Sequence, residues 1–160
     1  MISYKLVNPA ASLLADAPRA VESFHPGHWD LTLELEYRAP EIIARKEVNS
    51  AASFLSDVVF LKRPHTTDRA LVKEAVLAFP AAVMDALNAL SCVAELGYAA
   101  MDELSKVPFF GRGGGRSFNS AVLRLACPRF FGIVDWRNVA VLCGSPGFEG
   151  LVTPRVTFEQ

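Results

Sequence analysis

The chain has 160 residues, 51% of them hydrophobic and 21% charged, with a net charge of −1. That length suits one domain over 1–160 with a real core, and the near-neutral balance argues against indiscriminate binding of polyanions through bulk charge. No apolar run reaches bilayer-spanning length, and the start, MISYKLVNPAAS, lacks a basic region leading into an apolar stretch. No membrane partner and a cytoplasmic location are therefore expected. Three widely spaced cysteines, Cys92, Cys127 and Cys143, form no C-x-x-C pair. They read as reduced core residues, not as a disulfide frame or a zinc site.

Leu13 to Phe24 reads as a short helix interrupted by Pro18 and closed by the turn His25-Pro26-Gly27-His28. The two histidines lack a nearby third ligand, so a polar turn is expected there and no metal site. Leu31, Leu33, Leu35 and Tyr37 then alternate with Thr32, Glu34 and Glu36, which predicts an amphipathic strand. Leucine and glutamate are also good helix formers, and a helix stays open. From Pro40, placed as a first-turn proline with Glu41 behind it, the pattern becomes helical. Ala51, Phe54, Leu55, Val58 and Leu61 form an apolar stripe that ends before Lys62, Arg63 and Pro64. The basic pair suits a helix C-terminus.

A second helix is expected from about Thr67 to Phe79, with Val72, Val76 and Phe79 on its stripe, stopping before Pro80. A third opens at Pro80 and carries Val83, Leu87, Leu90 and Ala94, with Gly97 placed to end it. A short fourth turn, Ala100 to Lys106, leads into Val107-Pro108. Trp136 to Cys143 reads as a final helix. In the tail, Leu151, Val152, Val156 and Phe158 read as an edge strand beside Leu31–Tyr37. The fold class is mainly α: a helical bundle with one or two short strands.

Chemistry concentrates between Pro108 and Gly144. From Pro108 to Val134 there are four arginines (Arg112, Arg116, Arg124, Arg129) and no Asp or Glu, in a chain that is slightly acidic as a whole. Gly111, Gly113, Gly114 and Gly115 give a backbone that can approach a ligand closely. Arg116-Ser117 open a helix with Phe118, Ala121, Val122 and Leu125 on its apolar face. Free amides at such a helix start, with the positive end of its dipole, bind a phosphate oxygen, and Arg112 and Arg116 add charge-assisted bonds. A tight turn between packed helices accounts for the glycines equally well. Asp135, before Trp136 and Arg137, either caps the final helix and pairs with an arginine or does chemistry.

The segment 100–143 resembles the helix-hairpin-helix DNA glycosylase superfamily, in its adenine-glycosylase-like branch. Gly113 and Gly115 stand at the two hairpin glycine positions. Gly115-Arg116-Ser117 matches that branch's G-R-S, and Ile133-Val134-Asp135 matches its hydrophobic-hydrophobic-Asp at the same interval from Gly115. The resemblance implies that Arg112, Gly113, Gly114, Gly115, Arg116 and Ser117 bind the phosphates of duplex DNA. It also implies a monovalent cation that helps the hairpin, and no other cofactor. Asp135 would stabilise the charge that develops on the sugar, or activate water, once the base is flipped out. Ser117 stands where lyase members carry a lysine, so any glycosylase activity would be monofunctional. The chain departs from the family at Gly111-Arg112, which replace a Leu-Pro pair, and at Gly114, Asn138 and Ala140. A relative that binds DNA without excising a base fits these departures.

Three rival readings remain. GRGGGRS resembles a phosphate-binding loop, but it is one residue short of G-x-x-x-x-G-K-[ST] and lacks the lysine. Arg112 and Gly115 also echo a pantetheine-binding loop for acyl-CoA. The non-enzymatic rival is a helical interaction or adaptor domain with a protein partner.

Overall fold

The computed structural model describes residues 26–96, 99–111, 115–128 and 131, with the helical backbone alone at 26–29, 94, 115 and 116. The elements are α1 (Pro26–Arg45), α2 (Val48–Lys62), α3 (Arg69–Leu77), α4 (Pro80–Ser91), α5 (Val93–Leu96), α6 (Ala100–Leu104) and α7 (Gly115–Ala126). Among the described residues there is no strand, and the fold is mainly helical. These residues, apart from Pro26, fall within one compact unit, Gly27–Ile133. No helix among them is long and apolar enough to cross a membrane.

The expected strand at Leu31–Tyr37 is instead the middle of α1. Burial explains the correction. Leu35 is fully buried, yet Leu33 is 47% and Tyr37 86% exposed, so the alternating set does not share a face. Leu35, Ala39 and Ile42 do, at the four- and three-residue steps of a helix, with Ile43 beside them. Pro40 does not open a helix; it lies inside α1 on the exposed side. Its missing N–H costs one backbone bond but no buried contact. The helix ends at Lys46, whose φ of 55° is left-handed and whose N–H still reaches the Ile42 carbonyl (3.1 Å). One helical run from Pro40 to Leu61 is thereby split in two, and α2 starts at Val48.

Helix α2 is the hub. Ala51, Ala52, Phe54, Leu55, Ser56, Val58 and Val59 are all buried, which wraps most of its circumference in protein. It packs on α3, α4 and α7. Helix α3 begins two residues after the expected Thr67 because Asp68 is its N-cap. The Asp68 carboxylate accepts from the amides of Ala70 (2.9 Å) and Leu71 (3.3 Å). Val72 and Val76 are buried as expected. Phe79 is not on that stripe: α3 stops at Leu77, Phe79 precedes Pro80 as the N-cap of α4, and its ring is 54% exposed. Val83, Leu87 and Leu90 bury the inner face of α4, which ends at Ser91; after Cys92 the chain resumes in α5. The expected positions Ala94 (its side chain) and Gly97 lie outside the described residues. So do the Leu13–Phe24 helix, the final helix at Trp136–Cys143 and the tail strand.

Helix α6 is followed by turns through Phe110, so the helix is shorter than the expected Ala100–Lys106. Val107 and Phe110 turn inward, and the Phe110 ring meets Phe118 of α7 edge-on (centroids 5.9 Å, planes 61° apart). Burying a phenylalanine contributes about 2–3 kcal/mol. This aromatic pair fixes how the chain enters the glycine segment.

Candidate nucleic-acid interface

Helix α7 starts at Gly115, at the end of the glycine run. The amides of a helix's opening turn, here those of Gly115, Arg116 and Ser117, have no acceptor within it. Past that turn the helix is enclosed: Phe118, Asn119, Ser120, Ala121, Val122 and Leu123 are all at most 4% exposed. Only the opening turn, with half-buried Ser117, can meet a ligand. Phe118, Ala121, Val122 and Leu125 lie in the core as the periodicity predicts.

Two polar residues hold this turn against α6. Asn119 donates from Nδ2 to the Ser105 Oγ (2.9 Å) and to the Met101 carbonyl (3.3 Å). Ser105 Oγ in turn donates to that carbonyl at 2.7 Å. The Asn119 amide cannot be flipped, because its oxygen would then face the carbonyl. Its Oδ1 is the only buried side-chain oxygen among the described residues with no partner. Gly111 adds a steric constraint: a Cβ there would lie 3.0 Å from the Ser105 carbonyl oxygen, so the chain passes close to the end of α6.

The structure thus places Gly115, Arg116 and Ser117 in one helical turn. Ser117 also accepts from the Ser120 hydroxyl through its carbonyl (3.1 Å). Arg112, Gly113, Gly114 and Asp135 lie outside the described residues. A residue absent from the sequence-derived site comes close to it. Arg63 holds its guanidinium 5.2 Å from the centre of the Phe118 ring, within reach of a cation–π contact. Arg63 is exposed, and no carboxylate among the described residues pairs with it. Its sequence signal was only a basic pair at a helix end, which is ordinary charge placement; that this corner meets α7 is a tertiary fact.

The neighbouring arginines are committed. Asp57 pairs with Arg69 (3.0 Å) and Arg38 (3.5 Å), Arg38 also pairs with Glu34 (2.9 Å), and Arg69 stacks over Phe60 (4.5 Å). Arg124 lies 2.6 Å from Glu36 in an ion pair whose Nη1 is not aligned for a hydrogen bond. Arg38 and Arg45 line a shallow depression with Ser50 and Ser53, but Arg45 is held by Glu41 at 2.6 Å.

No protein-family model, curated protein or solved structure matches this chain.

A monovalent cation at the hairpin needs several oxygen ligands. Among the described residues Asn119 Oδ1 is one oxygen of the right chemical kind without a partner. Near the end of α6, the Lys106 ammonium donates to the Glu103 carboxylate at 2.7 Å, which holds its pKa above the ordinary lysine value. Lys106 is exposed, so this pair is a screened surface contact.

Proposed function

We propose that this chain binds duplex DNA as a helix-hairpin-helix protein, gripping a backbone phosphate with the first turn of α7 and with Arg112 and Arg116. Base excision is the activity proposed for Asp135. The glycosidic bond breaks with its electrons leaving on the base, water adds to the sugar carbon, and the Asp135 carboxylate stabilises the positive sugar or takes the water's proton. With Ser117 in place of a lysine, no Schiff base forms and the reaction is that of a monofunctional glycosylase. A relative that keeps the grip and has lost excision is the fallback within this reading.

The observation that supports the grip is the order of elements: α6, tight turns, glycine segment, then a helix beginning at Gly115. Nucleotide and acyl-CoA loops of the kinds weighed above belong to strand-containing folds. Here the preceding element is a helix, and the described residues hold no strand. Binding should be measured on duplex DNA across a salt series, with Arg112→Ala and Arg116→Ala beside the parent protein. Affinity that falls steeply with salt, less steeply in the variants, supports the grip; salt-independent or absent binding refutes it. A panel of damaged and mismatched duplexes then tests excision. Abasic sites formed by the parent and lost in a folded Asp135→Asn variant support it, and no released base leaves the binding role alone.

One observation favours the adaptor reading. Leu33, Tyr37, Pro40 and Ala44 are all exposed at four- and three-residue steps along α1, which makes an apolar stripe facing outward. Absence of DNA binding together with capture of a helical peptide by this stripe would replace the nucleic-acid reading.

A further inference from the structure

Residues 107–110 form a turn with an unusual occupant. The Phe110 N–H closes on the Val107 carbonyl (3.1 Å), Pro108 takes the second position, and Phe109 takes the third with a φ of 74°. A proline followed by a positive φ is the signature of a type II turn, whose third position is normally glycine or asparagine. A bulky residue in that left-handed region is strained. The turn itself is accounted for: it brings Val107 and Phe110, both essentially fully buried, into the core. Phe109 is 46% exposed, while its neighbour Phe110 is 0% exposed. A strained backbone that carries a half-exposed aromatic, where glycine is the unstrained choice, points to a use outside the fold.

The position suggests the use. In the chain Phe109 stands two residues before Gly111 and three before Arg112, which open the segment proposed to hold a phosphate. We propose that Phe109 is a stacking platform for an unpaired base, just ahead in the chain of the proposed phosphate grip; this rests on the DNA-binding reading. Aromatic rings accept any base on their faces, so the contact adds affinity for unstacked nucleotides without reading sequence. Its contribution is apolar. It therefore separates cleanly from the arginine contacts, which release counterions and depend on salt.

The test compares a fully paired duplex with the same duplex carrying one unpaired, bulged base, for the parent chain, Phe109→Gly, Phe109→Tyr and Arg112→Ala/Arg116→Ala. The parent and Phe109→Tyr should prefer the bulged duplex. Phe109→Gly should lose about five-fold or more on the bulged duplex, with the salt slope unchanged and the thermal midpoint equal or higher, because glycine relieves the strain. Phe109→Gly that keeps the parent's preference overturns the inference, and so does a lowered thermal midpoint, which makes the ring part of the fold. If the arginine variants lose salt-dependent binding while Phe109→Gly changes nothing, the platform falls and the DNA-binding reading stands. If the parent binds neither duplex, both fall.

Discussion

Asn119 offers a prediction in which two substitutions of similar size should differ widely. Leucine nearly matches asparagine in shape. Asn119→Leu removes the donations to Ser105 Oγ (2.9 Å) and to the Met101 carbonyl (3.3 Å), worth about 1 kcal/mol each at most. Neither acceptor is orphaned, since the Met101 carbonyl still accepts from the Ser105 N–H (2.9 Å) and from Ser105 Oγ (2.7 Å). Against this loss, leucine removes a buried carbonyl oxygen without a partner, a burden of about 1–3 kcal/mol. The net change should lie within about 1 kcal/mol of zero. Asn119→Asp instead faces the Met101 carbonyl with a carboxylate oxygen in a site only 1% exposed. An uncompensated charge there should cost about 3 kcal/mol or more at pH 7.

The aspartate version carries its own sign in pH. Burial and the facing carbonyl hold the introduced carboxyl above its unfolded value of about 3.9, so the folded state keeps the proton longer. The penalty is absent below the unfolded pKa and grows as pH rises above it. Urea unfolding followed by circular dichroism at pH 7 and at pH 4 measures both effects. A cost above about 3 kcal/mol for Asn119→Leu would mean that Oδ1 has a partner, and the reasoning fails. So it does if Asn119→Asp unfolds like the parent at pH 7.

Other consequences are simpler. Asp68→Ala removes the cap on the Ala70 and Leu71 amides and should lower stability by about 1 kcal/mol, read as a shift in urea midpoint at constant slope. Phe110→Ala opens a cavity where a fully buried ring met Phe118, and should cost about 3 kcal/mol or more in the same assay. Arg63→Ala removes the cation–π contact with Phe118 and should lower stability by only about 0.5–1 kcal/mol, since no carboxylate among the described residues pairs with Arg63. If the basic corner contributes a phosphate contact, the same variant lowers the slope of log K against log salt by about 0.9. An unchanged slope restricts Arg63 to its seat on Phe118.

Legibility in the sequence followed burial geometry. Phe54, Leu55 and Val58 repeat at helical steps and bury one face, and so do Val83, Leu87 and Leu90; there local pattern and tertiary packing agree. Leu31 to Tyr37 misled because apolar residues at every second position serve a strand face and also scatter around a helix. Only the identity of the buried members decides, and Leu35 with Ala39 and Ile42 chose the helix. At Phe79 the apolar step continued past the point where the helix had ended, so hydrophobicity predicted a contact the backbone no longer made. Of the candidate site, the glycine run and a helix opening near Arg116, one residue after its actual start at Gly115, were readable from local composition and pattern. Arg63 was not: nothing local links a basic pair at residue 63 to a ring at residue 118.

Composition and periodicity by themselves determined a mainly helical chain, the apolar stripes of its middle helices and a basic glycine segment leading into a helix, because those features depend on residues a few positions apart. Tertiary packing alone decided that α1 is a helix and that α2 is buried on nearly every side. It also decided that Asn119 ties α7 to α6 and that Arg63 rests on Phe118. Each of these is a contact between distant segments, and the energy that selects it exists only once the surfaces are brought together and dried.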